Sequence, residues 1–273
     1  MADGVRRRVM TRPAPTSSAT LSTGPSIHFK GSFTFSTGPL FEDVSLRLGG
    51  GEWNCLLGPS GVGKSTILRL ILGLQTDGHF DGEITADDGA ALTNRVSYMA
   101  QSDLLLPWLN VLENTCLGAR LRGQTPDTER AHSLLHRVGL GAHLDKRPAS
   151  LSGGMRQRAA LARTLVEDRD IVLLDEPFSA LDAGTRADMQ ELAAKALWGK
   201  TVLLVTHDPA EAARLAHQII LLSSGGATTW PTPASPPIRD IHAPDTISCQ
   251  AALLDHLRAG TAITNQTPQE GAR

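Results

Sequence analysis

The chain has 273 residues, a formal net charge of −2 at pH 7 and 41% hydrophobic residues. This composition is typical of a soluble globular protein with one large domain or two small ones. It gives no net basic charge for nucleic acid and no apolar run of the roughly 18 residues that a membrane span needs. The three cysteines are isolated, without metal-binding spacing, which favours a reduced cytosolic setting.

The chain begins with a segment rich in Arg, Ser, Thr and Pro. Residues 1–26 are predicted to be a disordered tail, because no apolar stretch follows "VRRRVM" and a secretory signal needs one. Residues 226–273 are predicted to be a short C-terminal extension, with one short helix at 246–260 and no regulatory domain. The region between them, 27–225, is predicted to be the folded domain.

Strand-like and helical segments alternate within this domain. Strands are predicted in "IHFKGSFTF", "FEDVSLRLGGGEWNCLLG", "RVSYMAQ", "DIVLLDEP", "TVLLVTH" and "QIILLSS". Helices are predicted after residue 64 and at 126–138, 152–167, 182–197 and 208–216. This alternation predicts an α/β fold with a mainly parallel sheet. We also expect an antiparallel β region on the N-terminal side and a helical insert at about 102–165.

The first glycine-rich stretch, "GPSGVGKST", fits the phosphate-loop pattern G-x-x-x-x-G-K-[ST]. It follows the apolar run "WNCLL" and precedes a helical pattern, which is the context that the motif requires. Lys64 is predicted to reach the β- and γ-phosphates of a nucleoside triphosphate, and Ser65 to bind Mg²⁺ through its hydroxyl. The predicted phosphate-binding residues are Gly58, Pro59, Ser60, Gly61, Val62, Gly63, Lys64, Ser65 and Thr66.

Two carboxylates end the apolar run "IVLLDEP". Ligands bind at the carboxyl ends of parallel strands, so Asp175 is predicted to hold Mg²⁺ and Glu176 to act as a general base on water. We expect the two side chains on opposite sides of the strand, because strand side chains alternate. An ordinary strand exit into a polar loop is the alternative, and the phosphate loop favours the functional interpretation.

A second glycine-rich helix start lies far downstream, in "LSGGMRQRAALAR". Ser152 is a favourable N-cap residue, and Gly153 and Gly154 leave backbone N–H groups open to an anion. This pattern predicts a second anion site at the start of a helix. The segment comprises Leu151, Ser152, Gly153, Gly154 and Met155.

Together these motifs resemble the ATP-binding cassette (ABC) family, in the family's order and over roughly residues 27–223. The resemblance implies ATP and Mg²⁺ as ligands and identifies residues 151–155 as the signature segment. It also implies that two copies pair head to tail. Each signature segment then contacts the γ-phosphate that is held by the other copy's phosphate loop.

The resemblance assigns further residues by position. Gln101 in "MAQ" is expected at Mg²⁺ and the attacking water, and Asp182 in "SALD" at the partner copy. His207 in "LLVTHD" is expected to contact the γ-phosphate. Phe35 is expected to stack on adenine, with Phe33 and Phe41 nearby as alternatives.

The resemblance also implies a transport role. We expect the ATPase subunit of a bacterial importer, on the cytoplasmic face of the membrane, with permease subunits and, indirectly, an extracytoplasmic binding protein. A soluble ATPase of the same superfamily is the alternative. Trp108 in "SDLLLPWLNVLENTCLGARLRG" is expected to contact the permease, although it could instead pack within the helical insert.

The same segment bears on the cargo. It is similar to importers of nitrate, of sulfonates and taurine, and of thiamine pyrimidine precursors. Within that group, "YMAQSDLLLPW" favours the hydroxymethylpyrimidine type.

Overall fold

The computed structural model describes residues 23–223 and 225–264, so most of the predicted N-terminal tail lies outside the described residues. The end of that predicted tail is packed against the protein. Gly24 N donates a hydrogen bond to Gly199 O at 2.7 Å, and Thr201 Oγ1 donates to Pro25 O at 2.7 Å. Gly24, Pro25 and Ser26 are buried, so the packed chain begins before the first strand.

Strands and helices alternate along the described chain. The strands are β1 (Ile27–Phe35), β2 (Gly38–Leu48), β3 (Trp53–Leu57), β4 (Gly78–Ala86), β5 (Val96–Met99), β6 (Ile171–Asp175), β7 (Thr201–Val205), β8 (Gln218–Ser223) and β9 (Gly226–Trp230). The α-helices are α1 (Lys64–Ile71), α2 (Val111–Thr115), α3 (Leu117–Leu121), α4 (Thr128–Arg137), α5 (Gly153–Val166), α6 (Ala183–Ala196), α7 (Pro209–Leu215) and α8 (Pro244–Thr264). Short 3₁₀ turns occupy Gly141–His143 and Pro148–Ser150.

The larger sheet has six strands in the order β5-β6-β7-β3-β8-β9. Its first five strands are parallel, and β9 is antiparallel to β8. The strands β3, β6 and β7 are buried along their whole length, because both faces of a parallel sheet are covered. This confirms the predicted α/β fold. It also brings the carboxyl ends of β3, β5, β6 and β7 to one edge of the sheet.

The smaller sheet is antiparallel, in the order β2-β1-β4, and forms the predicted N-terminal β region. Ile27, Phe29 and Phe33 of β1 point into its core, while His28 and Lys30 are exposed. The sequence did not reveal β4, because eight of its nine residues are exposed or only partly buried. Its apolar residues Phe80, Ile84 and Ala86 do share one face, but Gly78 and Gly82 interrupt the strand pattern.

The core has two parts, one on each side of the larger sheet. Leu57 belongs to the part beneath the helices, whereas its neighbour Leu56 belongs to the part shared with the smaller sheet and α1. The alternation of side chains along β3 produces this division. Within the predicted helical insert, α5 packs against α2 and α4.

The C-terminal extension is attached to the domain rather than separate from it. Its first residues form β9, the edge strand of the larger sheet, so a boundary at 225 falls within a hairpin. The buried Arg239 donates hydrogen bonds to Ala213 O at 2.9 Å and Ala216 O at 2.8 Å. The predicted last helix is α8, which is longer than expected and packs on α7.

Among the described residues, no helix is both long enough and apolar enough to cross a membrane.

Candidate functional site

The phosphate-loop residues connect β3 to α1, as the sequence predicted. Gly61 and Gly63 have φ angles of 80° and 107°, which glycine adopts without steric cost. Gly63 is the N-cap of α1, and no side chain caps this helix start. The first N–H groups of α1 therefore have no side-chain acceptor, and the residues that begin this helix line the cleft, as anion binding at a helix start requires.

Lys64 is the first residue of α1, and its side chain folds back onto the loop. Its Nζ donates hydrogen bonds to Gly58 O at 2.7 Å and to Pro59 O at 2.8 Å. Burial lowers the pKa of Lys64, while the charges of Glu176 and Asp175 oppose that shift. An ammonium group has three N–H donors, so a phosphate oxygen can accept the third.

Oxygen ligands suited to Mg²⁺ meet beside the loop. Ser65 Oγ donates to Asp175 Oδ2 at 3.4 Å. Burial and the charge of Glu176 raise the pKa of Asp175, so a bound cation there would be favourable. Among the described residues, no group of three or more His, Cys, Asp or Glu side chains could hold a metal. The donor set fits Mg²⁺, which is usually held by one or two carboxylates together with substrate phosphates.

Tyr98 supports Asp175 from the neighbouring strand β5, and sequence reasoning missed it. Tyr98 lowers the pKa of Asp175, against the upward effect of burial and of Glu176. Burial, together with the charge of Asp175, raises the pKa of Tyr98 to about 12. The Tyr98 phenol therefore stays protonated at neutral pH.

Glu176 lies just beyond β6 and departs from the predicted alternation. Its φ of 49° is in the left-handed region, which is strained for a residue other than glycine. This turn of the backbone brings both carboxylates into the same cleft, so the expectation of opposite sides was wrong. Strand alternation does not apply to a residue that has left the extended conformation.

The Glu176 carboxylate lies between two predicted site residues. Gln101 Nε2 donates to Glu176 Oε2 at 3.2 Å, and His207 Nδ1 lies 3.1 Å from Glu176 Oε1. Gln101 follows β5 and His207 follows β7, so the parallel sheet brings the three segments together. The His207 side chain is 67% exposed and that of Glu176 is 19% exposed, which leaves this carboxylate accessible from the cleft.

Gln157 holds the Glu176 backbone, and sequence reasoning assigned no role to this residue. Its Nε2 donates to Glu176 O at 3.0 Å, and its Oε1 accepts from Ala180 N at 2.8 Å. Gln157 is buried on the same face of α5 as Ala160, Leu161 and Thr164. The sequence could have revealed this role, because Gln157 is spaced to share a helix face with small and apolar residues. An amide buried on such a face needs hydrogen-bond partners.

The signature segment lies apart from this cleft within one chain. Ser152 caps α5 by accepting a hydrogen bond from Met155 N at 3.2 Å, and Ser152 and Gly153 are exposed. The cleft has a volume of about 440 Å³, and the described residues that line it include none from 151–155. Asp182 is also exposed and caps α6, where its Oδ1 accepts from Thr185 N at 3.0 Å.

The structure separates the three candidate aromatic residues. Phe33 and Phe41 are buried in the core, at 0% and 2% exposure. Phe35, at the end of β1, is partly exposed and lines the cleft together with Leu40 and Lys64. Phe35 is therefore the aromatic side chain of the three that a nucleotide base in this cleft could reach.

The leucine-rich segment near Trp108 is divided between the core and the surface. Leu105 is buried, whereas Leu104 and Trp108 are 61% and 65% exposed. Trp108 therefore does not pack within the helical insert, and its ring is available to a partner.

Most of the chain is similar to known proteins. The family model described as "ABC transporter" matches residues 41–179. An uncharacterised ABC transporter ATP-binding protein of Haemophilus influenzae is 43% identical over 83% of this chain and 95% of its own length. The aliphatic sulfonates import ATP-binding protein SsuB 1 of Rhodococcus jostii is 47% identical, over 69% of this chain and 75% of its own. The taurine import ATP-binding protein TauB of Yersinia pestis is 44% identical, over 68% and 75%.

Solved structures show the same fold. A dimeric ATP-binding cassette in a post-hydrolysis state, bound to ADP and phosphate, matches 78% of this chain and 99% of its own, with a TM-score of 0.66 and 30% identity. A bacterial Atm1-family ABC exporter with ATP bound matches 79% of this chain and 40% of its own, with a TM-score of 0.67. At 24% identity, the exporter bears on the fold alone.

Proposed function

We propose that this chain, which belongs to the ABC transporter family and is an ATPase, provides the energy for an importer of sulfonates such as taurine. One observation carries the catalytic part of the proposal. Lys64, Ser65, Gln101, Asp175 and Glu176 line a single cleft at the carboxyl edge of the larger sheet. Cation, hydroxyl, amide and two carboxylates are the groups that phosphoryl transfer to water requires.

Binding comes first in the proposed mechanism. The loop N–H groups and Lys64 hold the phosphates of ATP, and Phe35 stacks on the base. Ser65, Gln101 and Asp175 are the residues that would hold Mg²⁺, which neutralises charge on the β- and γ-phosphates. Tyr98, on the neighbouring strand, keeps a protonated phenol beside Asp175.

Hydrolysis then depends on Glu176. Its carboxylate accepts a proton from the attacking water, while Gln101 and His207 hold that carboxylate from either side. His207 also donates to the γ-phosphate, and its exposure allows that contact. Gln157 keeps the strained backbone of Glu176 in place through the Glu176 carbonyl.

The site is completed by a second copy of the chain in this proposal. The signature segment of one copy covers the γ-phosphate held by the other, and Asp182 lies at the contact between them. Two observations support this arrangement: Ser152 and Gly153 are exposed away from the cleft of their own chain, and a similar cassette was solved as a dimer.

We propose that membrane permease subunits are the transport partners. The exposed Trp108 and Leu104 provide an apolar contact next to Gln101, and buried aromatic anchors are common at such interfaces. In this proposal the protein lies on the cytoplasmic face of the membrane, bound through its partner. Relatives named as import proteins favour transport over a soluble ATPase of the superfamily.

The cargo proposal differs from the first expectation. The sequence favoured a hydroxymethylpyrimidine, but similar proteins are named for the import of aliphatic sulfonates and of taurine. These names support the sulfonate alternative. Purification of the chain with its permease and binding protein tests the cargo. Taurine or an alkanesulfonate should bind the complex and stimulate hydrolysis, whereas stimulation by a hydroxymethylpyrimidine alone would refute the sulfonate assignment.

The catalytic proposal is tested by Glu176→Gln. The variant should bind ATP with wild-type affinity but lose hydrolysis by a factor of at least about 100, because general-base catalysis contributes that much. It should also accumulate as an ATP-dependent dimer, measured by light scattering. Glu129→Gln, on the exposed first turn of α4, is the matched control and should be unaffected. Undiminished turnover of the Glu176 variant would remove this residue from its role.

A further inference from the structure

Arg186, in the first turns of α6, bridges two segments that the proposed mechanism treats separately. Its Nη2 donates to Leu181 O at 3.0 Å, and its Nη1 donates to Asp208 Oδ2 at 3.4 Å. Leu181 belongs to the loop 179–182 between β6 and α6, whereas Asp208 directly follows His207. A planar guanidinium can hold two such acceptors in a fixed geometry.

The Asp208 end of this bridge determines where His207 is held. Asp208 is the N-cap of α7 through its other oxygen, Oδ1, which accepts from Ala210 N at 2.8 Å, and its own N–H donates to Thr206 Oγ1 at 3.0 Å. His207 therefore lies between two residues whose side chains are fixed. A displacement of Asp208 would carry His207 with it, because the two are adjacent in the chain.

The Leu181 end of the bridge belongs to a loop that is attached within its own chain and is exposed at its far end. Ala180 N donates to Gln157 Oε1 at 2.8 Å, and Asp182 caps α6. Ser179 Oγ donates to Glu176 O at 3.0 Å, which attaches this loop to the catalytic segment. Its other end is the exposed Asp182. Contact by a second copy would therefore act on this loop, and Arg186 is bonded to its last carbonyl before Asp182.

The guanidinium also faces a small cavity. Glu176, Ser179, Arg186, His207, Asp208 and Glu211 line it. Within the described part of the chain, Arg186 Nε is buried without a hydrogen-bond partner. Its two terminal nitrogens thus make the hydrogen bonds that hold it, and both bonds are to the segments in question.

We infer that Arg186 is a positioning residue, which transmits contact of a second copy at loop 179–182 to the His207 segment. The inference rests on the proposed function, because it assumes the head-to-tail pair. It adds that His207 takes its working position only when the loop 179–182 of its own chain is held. Arg186 itself touches neither the nucleotide nor the water.

A structural readout tests this without measuring hydrolysis. In a Glu176→Gln background, ATP should form the dimer and slow hydrogen exchange of the backbone at residues 206–211. Arg186→Met should leave dimer formation intact but remove most of that added protection, while protection at 151–155 is retained. Lys195→Met is the matched control on α6, since Lys195 is an exposed residue whose ion pair within the described residues is with Glu191, at 3.5 Å.

The outcomes separate the two claims. If ATP forms no dimer in the Glu176→Gln background, the proposed function fails. If the dimer forms and residues 206–211 are protected equally with and without Arg186, the inference fails while the function stands.

Kinetics provide the second test. In an otherwise unchanged chain, Arg186→Met should lower kcat roughly tenfold and leave KM for ATP within about twofold. A tenfold effect on kcat is typical of the interaction energy between residues in contact. The double variant with His207→Ala should be no slower than His207→Ala alone, because Arg186 acts through His207. Losses that multiply would overturn the inference. Arg186→Lys keeps the charge but not the planar pair of N–H donors. It repeats the test if the methionine variant folds poorly.

Discussion

Both α1 and α5 begin at a glycine-rich stretch, but the surroundings of the two helix starts differ. At α1, Gly63 is the N-cap, no side chain caps the helix, and Lys64 lies in the cleft. At α5, Ser152 caps the helix, and Ser152 and Gly153 face outward away from the cleft. The first is therefore arranged to bind an anion within one chain. At the second, the N–H group of Met155 is bonded to Ser152, while Ser152 and Gly153 remain exposed. This arrangement suits contact with another molecule.

The largest effect expected from this comparison follows from Lys64→Met. Loss of a charged donor to the phosphates should weaken ATP binding by a single chain roughly 100-fold and remove hydrolysis with it. A fluorescent nucleotide titration of dilute protein measures the binding. Wild-type affinity in this variant would mean that α1 does not bind the phosphates as proposed.

The next effect follows from Ser152→Arg, at the other helix start. Single-chain ATP affinity should stay within about twofold, whereas hydrolysis should fall by roughly 100-fold, the loss typical of a donor to the transition state. The comparison breaks down if single-chain binding falls as far as it does for Lys64→Met. Full hydrolysis by this variant would instead show that the site does not need a second copy.

A matched glycine pair sharpens the comparison. Gly63 has a φ of 107°, and a Cβ there would meet Phe41 Cδ1 at 2.9 Å. At Gly153, an added Cβ would meet nothing nearer than Arg156 Nη2, at 4.0 Å. Gly63→Ala should therefore lower the free energy of unfolding by about 1–3 kcal/mol, and Gly153→Ala should not lower it. Thermal and denaturant unfolding measure both. Equal stabilities would contradict the assigned backbone strain.

The smallest effect concerns the cap itself. Ser152→Ala should lower the free energy of unfolding by about 1 kcal/mol, because the hydrogen bond to Met155 N is lost. Asp127→Ala removes the equivalent cap of α4, where Asp127 accepts from Arg130 N at 2.9 Å. Both variants should lose similar stability, but only Ser152→Ala should also slow hydrolysis. A similar slowing by Asp127→Ala would assign the effect to stability alone.

The parts of the site that the sequence predicted are local ones. The phosphate loop was predictable because its strand, turn and helix are contiguous, and Asp175 because it ends a continuous apolar strand. The positions of Gln101 and His207 came from the family resemblance. Their roles remain predictions, as do those of the signature residues and Trp108.

Contacts between distant segments could not be predicted in the same way. Gln157 lies on α5 and bonds to Glu176, which follows β6. The sequence around Gln157 gives no indication of that partner. Phe33 and Phe35 are two positions apart on β1, so strand alternation puts them on the same face and cannot tell which one is accessible. Phe35 is accessible because it ends the strand, beyond the packed core. The left-handed turn at Glu176 is held by surrounding contacts, including the bond from its N–H to Val205 O at 2.9 Å.

The separation of the signature segment from the cleft of its own chain has a consequence for mixtures of defective chains. A Lys64→Met chain has an intact signature, and a Ser152→Arg chain has an intact phosphate loop. Paired together, they would assemble one complete site and one site that is defective on both sides. Two inactive preparations should therefore recover part of the activity when mixed, through complementation between the subunits. Neither variant could recover activity by pairing with itself.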